Sequence, residues 1–386
     1  METAVMPPDT GASKLDYSLI SADSHVSEPH WCYREFIDPA FRDRAPRLEK
    51  DADDREVLVV EGLGRTLSLH RFTSAGLSPA QVMAQKGVFA DVAPGGYDAH
   101  ARIAAQDVDG VAAEIIYPTV GMVLSSLADA DYKQACMWAY NRWLQSFCSV
   151  HPRRLLGIGQ TAVRSVAEAI DDLTTMKQMG FKGVMLPASP ATEADYDDPQ
   201  FDPLWRAAAQ LGMPISFHSL TSSRDTDALL GKQARGPKIN GFQAIVRTCQ
   251  DIIGMFVFGG VFDRVPELRM ISVEADAGWL PHFLYRADHA YRQHRHWLTC
   301  PELKQLPSHY LLENVYLTFQ DDWAAFRFAA EVNPRRLMWA SDYPHPDSTW
   351  PASRATVTNQ AAHLPPVVMR HIVRDNCVEL YDIDLD

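Results

Sequence analysis

No C-x-x-C pair occurs in the 386 residues. The six cysteines, Cys32, Cys136, Cys148, Cys249, Cys300 and Cys377, are scattered, which excludes a disulfide framework and points to reduced thiols in a cytoplasmic protein. Blocks of Lys and Arg are missing too. With 36 Lys+Arg against 49 Asp+Glu the formal net charge is -13, a balance that repels phosphate backbones and excludes a nucleic-acid partner. No apolar run approaches the ~18 residues of a membrane span, so no membrane partner is expected. The opening METAVMPPDTGASK lacks a basic segment leading into an apolar one, and no secretory signal is read there. The G-x-S-x-G elbow of serine hydrolases and the phosphate-binding G-x-x-x-x-G-K-[ST] are both absent. One dinucleotide-like run exists, Gly157-Ile158-Gly159-Gln160-Thr161-Ala162. The strand after it, KGVMLPAS, ends in Pro187 and Ala188 where a ribose-binding acid is needed, so close packing at glycine is the better reading.

What the chain does have is a rhythm. Of its residues 46% are hydrophobic and 22% charged, ordinary for a globular protein with a sizeable core. Short apolar strands are predicted at Tyr17–Ala22, Val111–Tyr117, Leu155–Gly159, Gly183–Leu186, Pro214–Phe217, Arg269–Val273, Val315–Thr318 and Leu337–Ala340. Amphipathic stretches alternate with them, such as 167–180 and DPLWRAAAQLG, each closing on a glycine that suits the position after a helix. Eight strands alternating with helices predict an α/β fold, a (β/α)8 TIM barrel. Residues 1–15 read as a loose N-terminal arm and 16–386 as one barrel domain. A long insertion after the first strand, about 26–98, is expected to form a small cap, with a β-hairpin in EVLVVEGLGRTLSL turning at Glu61-Gly62-Leu63-Gly64.

Polar residues fall at the strand ends. Asp23 and His25 close the first strand, two apart and so on one side of an extended chain. His218 closes the fifth in MPISFHS, Glu274 the sixth in RMISVEADAGW, and Asp342 the eighth in RLMWASDYPH. In a barrel these ends converge on one mouth, and the first and eighth strands are neighbours. Singly, each has a plain structural reading: a polar turn for D-x-H, a satisfied core histidine for His218, a turn-opening Asp342. Together, two carboxylates and two imidazoles suit one divalent ion, Zn²⁺ first and Mn²⁺ second, with Asp23, His25, His218 and Asp342 as ligands. Glu274, held off the metal, would move protons. Phe217, Trp279, Tyr343 and Trp350 flank the strand ends and suit a ring substrate; His345, three past Asp342, either contacts substrate or caps its loop.

The run ADSHVSEP, the SFHS strand end, VFDRVPELRMISVEADAGWLPHFLYRAD, WASDYPHPDSTW and DNCVELYDI resemble the amidohydrolase-related family. That family groups with aminocarboxymuconate-semialdehyde, γ-resorcylate and 5-carboxyvanillate decarboxylases. The resemblance runs from about Tyr17 to Asp382. It implies a metal-dependent barrel with Asp23, His25, His218 and Asp342 at the ligand positions and an assembly of two or four copies. Nonoxidative decarboxylation of a small aromatic or cyclic carboxylic acid is the expected reaction. The alternative is hydrolysis of a C–C, lactone or amide bond, with Asp342 or Glu274 taking a proton from water. Two departures stand out: Asp23 where the family often has His or Glu, and Glu274 where its decarboxylases carry the His of an HGG run.

Overall fold

The computed structural model describes residues 15–221, 236, 237 and 239–385. The expected arm at 1–15 therefore lies, but for Leu15, outside the described residues. Eight strands form one parallel sheet in the order β1 (Leu19–His25), β4 (Val111–Tyr117), β5 (Leu155–Gln160), β6 (Gly183–Met185), β7 (Ile215–His218), β8 (Met270–Val273), β9 (Val315–Phe319) and β10 (Leu337–Trp339). Seven of these match the sequence prediction to within one residue at each end. β1 runs three residues further, because Asp23, Ser24 and His25 continue it although they are polar and wholly buried.

The barrel closes where β1 meets the end of β10. Asp342 N donates to Asp23 O at 3.1 Å, His25 N to Tyr343 O at 2.7 Å, and Ser341 N to the Ser21 hydroxyl at 2.8 Å. Inside the ring, Ile20, Ala22, Ile115, Ile158, Ile271 and Met338 pack as one apolar column. A larger cluster fills the space between strands and outer helices. Those helices include Val166–Gln178, Asp202–Leu211, Asn240–Phe258 and Leu280–His294. Gly157 and Gly159 belong to this packing and not to a nucleotide site. A β-carbon at Gly157 would lie 2.8 Å from both Leu144 and Phe181, and one at Gly159 would lie 2.6 Å from the Met176 sulfur. No helix among the described residues is long and apolar enough to cross a membrane.

Between β1 and the helix Ala99–Asp109 the expected hairpin forms, but upstream of its predicted place. β2 (Arg47–Lys50) pairs antiparallel with β3 (Glu56–Val59). The turn is set by Asp51, whose carboxylate accepts from Asp53 N at 2.9 Å and Arg55 N at 3.0 Å, a local bond that reproduces a backbone turn. The glycines of 61–64 lead only to a single bridge between Leu58 and Leu67. At the insertion's C-terminal end, buried Arg102 bonds Glu114 on β4 at 2.6 Å and donates to His25 O at 2.7 Å and Gly95 O at 2.9 Å. The insertion is thereby tied to the strand end that carries the polar pair.

Candidate metal centre

All four ligand candidates lie at the C-terminal mouth of the barrel, and each is wholly buried. Asp23, His25 and His218 form the tightest group, with one donor atom from each within 4.8 Å of the others. His25 Nε2 lies 3.5 Å from Asp23 Oδ1 and 3.3 Å from Asp342 Oδ1, and His218 Nε2 is 3.7 Å from Asp23 Oδ1. Asp342 therefore joins the group through His25. Each placement follows from its strand. Asp23 and His25 alternate onto one side of β1, His218 ends β7 with its N–H held by Thr221 Oγ1 at 3.0 Å, and Asp342 follows β10 across the seam from Asp23.

The two imidazoles carry the strongest signal. His25 Nδ1 faces Pro118 O at 2.9 Å, and a carbonyl only accepts, so this nitrogen bears the hydrogen. His218 Nδ1 faces Glu274 Oε2 at 3.2 Å and is assigned the same tautomer. Both Nε2 atoms then present lone pairs to each other at 3.2 Å, a repulsive contact unless a cation is shared. With metal–nitrogen bonds of about 2.1 Å, that separation corresponds to an angle of roughly 100° at a common ion. The carboxylates agree. No hydrogen bond of good geometry reaches either oxygen of Asp23 or of Asp342 among the described residues, although all four are buried and His218 lies beside Asp23 and Gln320 beside Asp342. The donor set fits a divalent metal.

Electrostatics points the same way. Burial raises the Asp23 carboxyl, and burial together with the Asp23 charge raises Asp342 well above the carboxylate range. Burial, then the charges of His345 and His218, hold His25 well below the usual histidine value, which leaves it neutral as a ligand must be. Burial, then Asp342, push Glu274 up to about 8. Glu274 Oε2 also accepts from the Ser219 hydroxyl at 2.8 Å. The backbone is left-handed at both Glu274 (φ 54°) and Asp342 (φ 55°), a conformation uncommon outside glycine, and it is held here by the surrounding strand ends.

A cavity of about 390 Å³ opens over this cluster. Its floor includes Thr119, Ser219, Glu274 and His345; its walls include apolar Phe72, Met122, Ile245 and Val246, with Arg65 and Arg71 from the insertion. Of the five residues expected at the substrate only His345 lines it. The His345 ring stacks on His25 at 3.9 Å, with Nδ1 3.2 Å from Asp342 Oδ1 and Nε2 2.9 Å from Thr119 Oγ1. The other four lie elsewhere. Phe217 alternates to the outside of β7 and packs on Tyr196 and Phe256. Trp279 donates its indole N–H to Ala275 O and stacks edge-on against Phe283. Tyr343 packs on Trp350 under the Arg102 guanidinium. Residues just past a strand end were expected to face the mouth, but strand alternation and the loop directions turn them away.

The sequence reading missed Arg65, Arg71 and Thr119. The two arginines belong to an insertion whose path to the mouth no local pattern gives, and Thr119 follows β4, whose end carries no charged residue. It also missed Glu28, wholly buried, whose carboxylate accepts from Thr119 N, Val120 N and Gly121 N at 2.9–3.1 Å and so fixes the loop bearing Thr119.

A family model described as Amidohydrolase matches residues 98–383. The chain is 22% identical over 292 residues to 2-amino-3-carboxymuconate-6-semialdehyde decarboxylase of Dictyostelium discoideum, covering 74% of this chain and 76% of the relative. It superposes on the crystal structure of an amidohydrolase from Mycobacterium avium subsp. paratuberculosis with a TM-score of 0.77, 21% identity and coverage of 95% of this chain and 100% of the other. A 5-carboxyvanillate decarboxylase from Novosphingobium aromaticivorans, complexed with manganese and 4-hydroxy-3-methoxy-5-nitrobenzoic acid, gives 0.67 at 19% identity, covering 98% and 100%. At these identities the structural likenesses establish the fold.

Proposed function

The chain belongs to the amidohydrolase family, and from that premise we propose that it is a metal-dependent nonoxidative decarboxylase of a small aromatic or cyclic carboxylic acid. Asp23, His25, His218 and Asp342 would hold one divalent ion, zinc or manganese. The two-nitrogen, two-oxygen set suits both metals. When bound, the ion supplies Lewis acidity at an oxygen beside the substrate carboxylate.

The protein's own residues account for the rest. The observation that carries decarboxylation is the 22% identity, over 74% of this chain, to a carboxymuconate-semialdehyde decarboxylase. As a fixed anion Glu274 would repel a substrate carboxylate; burial and the neighbouring Asp342 raise its carboxyl and favour the protonated form. Its Oε2 is held by Ser219 and faces His218 Nδ1, which leaves Oε1 to bear the proton. Glu274 lines the cavity and would deliver that proton to the ring carbon as carbon dioxide departs. Phe72, Met122, Ile245 and Val246 offer flat apolar contact to a ring, and Arg71 offers positive charge to a further acidic group. A cytoplasmic enzyme of two or four copies is part of this reading, on the family likeness and the scattered free thiols.

The test is incubation of the metal-loaded enzyme with a panel of hydroxybenzoates, lactones and ring-fission products in ¹⁸O-water. Carbon dioxide released in step with substrate loss, with no ¹⁸O in the organic product, is the expected result. Incorporation of ¹⁸O without carbon dioxide would replace the reading with hydrolysis, Glu274 or Asp342 then taking the proton from water.

A further inference from the structure

A second cavity, of about 240 Å³, shares Leu220 with the cavity over the metal centre. Its wall includes Ser126, Ser189, Thr221 and Lys133. Thr221 is the residue whose hydroxyl holds His218 N, so this cavity abuts the turn that carries a metal-ligand candidate. Lys133 lies in the first turn of the helix Ala130–Cys148 and is only 8% exposed. Its side chain makes no hydrogen bond and no ion pair among the described residues. The Ser189 hydroxyl makes no hydrogen bond there either.

A lysine whose side chain is this buried and whose ammonium has no partner is rare, because desolvation penalises the charge and nothing among the described residues offsets it. Burial draws Lys133 below the usual lysine value, and no carboxylate of the described residues contributes. In a chain with 49 Asp+Glu and a net charge of -13, a cation left uncompensated inside a polar cavity is the exception. A small anion is the complement it lacks. The volume admits a compact oxyanion, and hydroxyls supply donors beside the charge.

We propose that this cavity is a binding site for a small oxyanion, with the Lys133 ammonium as its charge partner and the Ser189 hydroxyl as a donor. The shared chemistry is a compact anion with two or more acceptor oxygens, whether phosphate, bicarbonate or a small carboxylate. The site stands whether or not the metal centre decarboxylates.

The experiment uses the metal-loaded full chain with inorganic phosphate, bicarbonate and acetate as separate probes. Lys133 is labelled by reductive methylation, its rate read by peptide mass spectrometry, and binding heat is measured in parallel. At four times the dissociation constant an occupied site slows labelling about fivefold. The expected result is protection of that order by at least one probe, with loss of the saturable heat in Lys133→Met and weakening in Ser189→Ala. An anion at the metal centre would give heat that survives Lys133→Met and no protection of Lys133. Labelling unchanged by all three probes up to about 50 mM overturns the proposal. The labelling arm needs only the wild-type chain, so it decides even if the lysine variant fails to fold.

Discussion

His218 has its two ring nitrogens committed in opposite directions, and that division predicts how substitutions will behave. Nε2 faces His25 Nε2 across 3.2 Å, while Nδ1 faces Glu274. His218→Ala removes a donor and leaves the Asp23 carboxylate buried without a counter-charge. Its metal content, measured by plasma mass spectrometry, should fall well below one per chain, and turnover by more than about 100-fold, since even outer partners of a metal ligand are worth 10–100-fold. Asp342→Asn should do the same. Glu274→Gln is expected to divide the two readouts. The amide keeps an oxygen acceptor for His218 Nδ1 and Ser219, so metal stays near one equivalent, but it has no proton to give and turnover falls by ~10²–10⁴. Loss of metal in Glu274→Gln would instead make Glu274 a ligand, in the alternative grouping with His25 and His345, whose donor atoms also lie within 4.8 Å.

Among the elements, β1 bears the most. It supplies two site residues, closes the barrel against β10 and receives the Arg102 bond through His25 O. Arg102 and Glu114 form a pair at 2.6 Å whose side chains are 0% and 3% exposed. Removing one partner strands the other charge, so Arg102→Met should cost about 3–5 kcal/mol in urea unfolding and loosen metal binding as β1 shifts. Gly157 marks where β5 touches its neighbours most closely. Gly157→Ala should cost about 1–3 kcal/mol through overpacking on Leu144 and Phe181, with metal affinity unchanged. These elements also show how far the sequence could be read. The strands were legible because both faces are buried and each segment is mostly apolar. β1 was cut short because its last three residues are polar yet buried, which only the site explains. The hairpin was misplaced because Asp51, through its side chain, made a turn that glycine was expected to make.

At the scale of the whole molecule, metal, protons and stability are one linked system. In the metal-free protein Glu274 keeps a proton up to about 8, whereas the unfolded chain releases it near 4.5. Between those values the folded state binds more protons than the unfolded one. Its stabilising share is therefore present below pH 4.5 and is lost as pH rises through 8. Raised Asp23 and Asp342 act in the same direction. Above about pH 6.5, where the depressed His25 no longer acts in the opposite direction, the midpoint of the metal-free protein in calorimetry should thus fall as pH rises to 8, and metal should reverse the loss. At about 100 times its dissociation constant the ion adds about 2.7 kcal/mol, and its binding should release protons, measurable as a buffer-dependent heat. A metal-free midpoint that does not move over this range would mean the site carboxyls are ionised without an ion.

By itself the sequence determined the order of strands and helices, hence the barrel, and which acids and imidazoles stand at strand ends, because periodicity and local burial are written in neighbouring residues. Only the tertiary structure decided which of those side chains share a point in space, which aromatics turn away from the mouth, and that two arginines of the insertion reach it. Those outcomes depend on side-chain direction at the strand ends and on chain crossings hundreds of residues apart, where no local pattern carries the information.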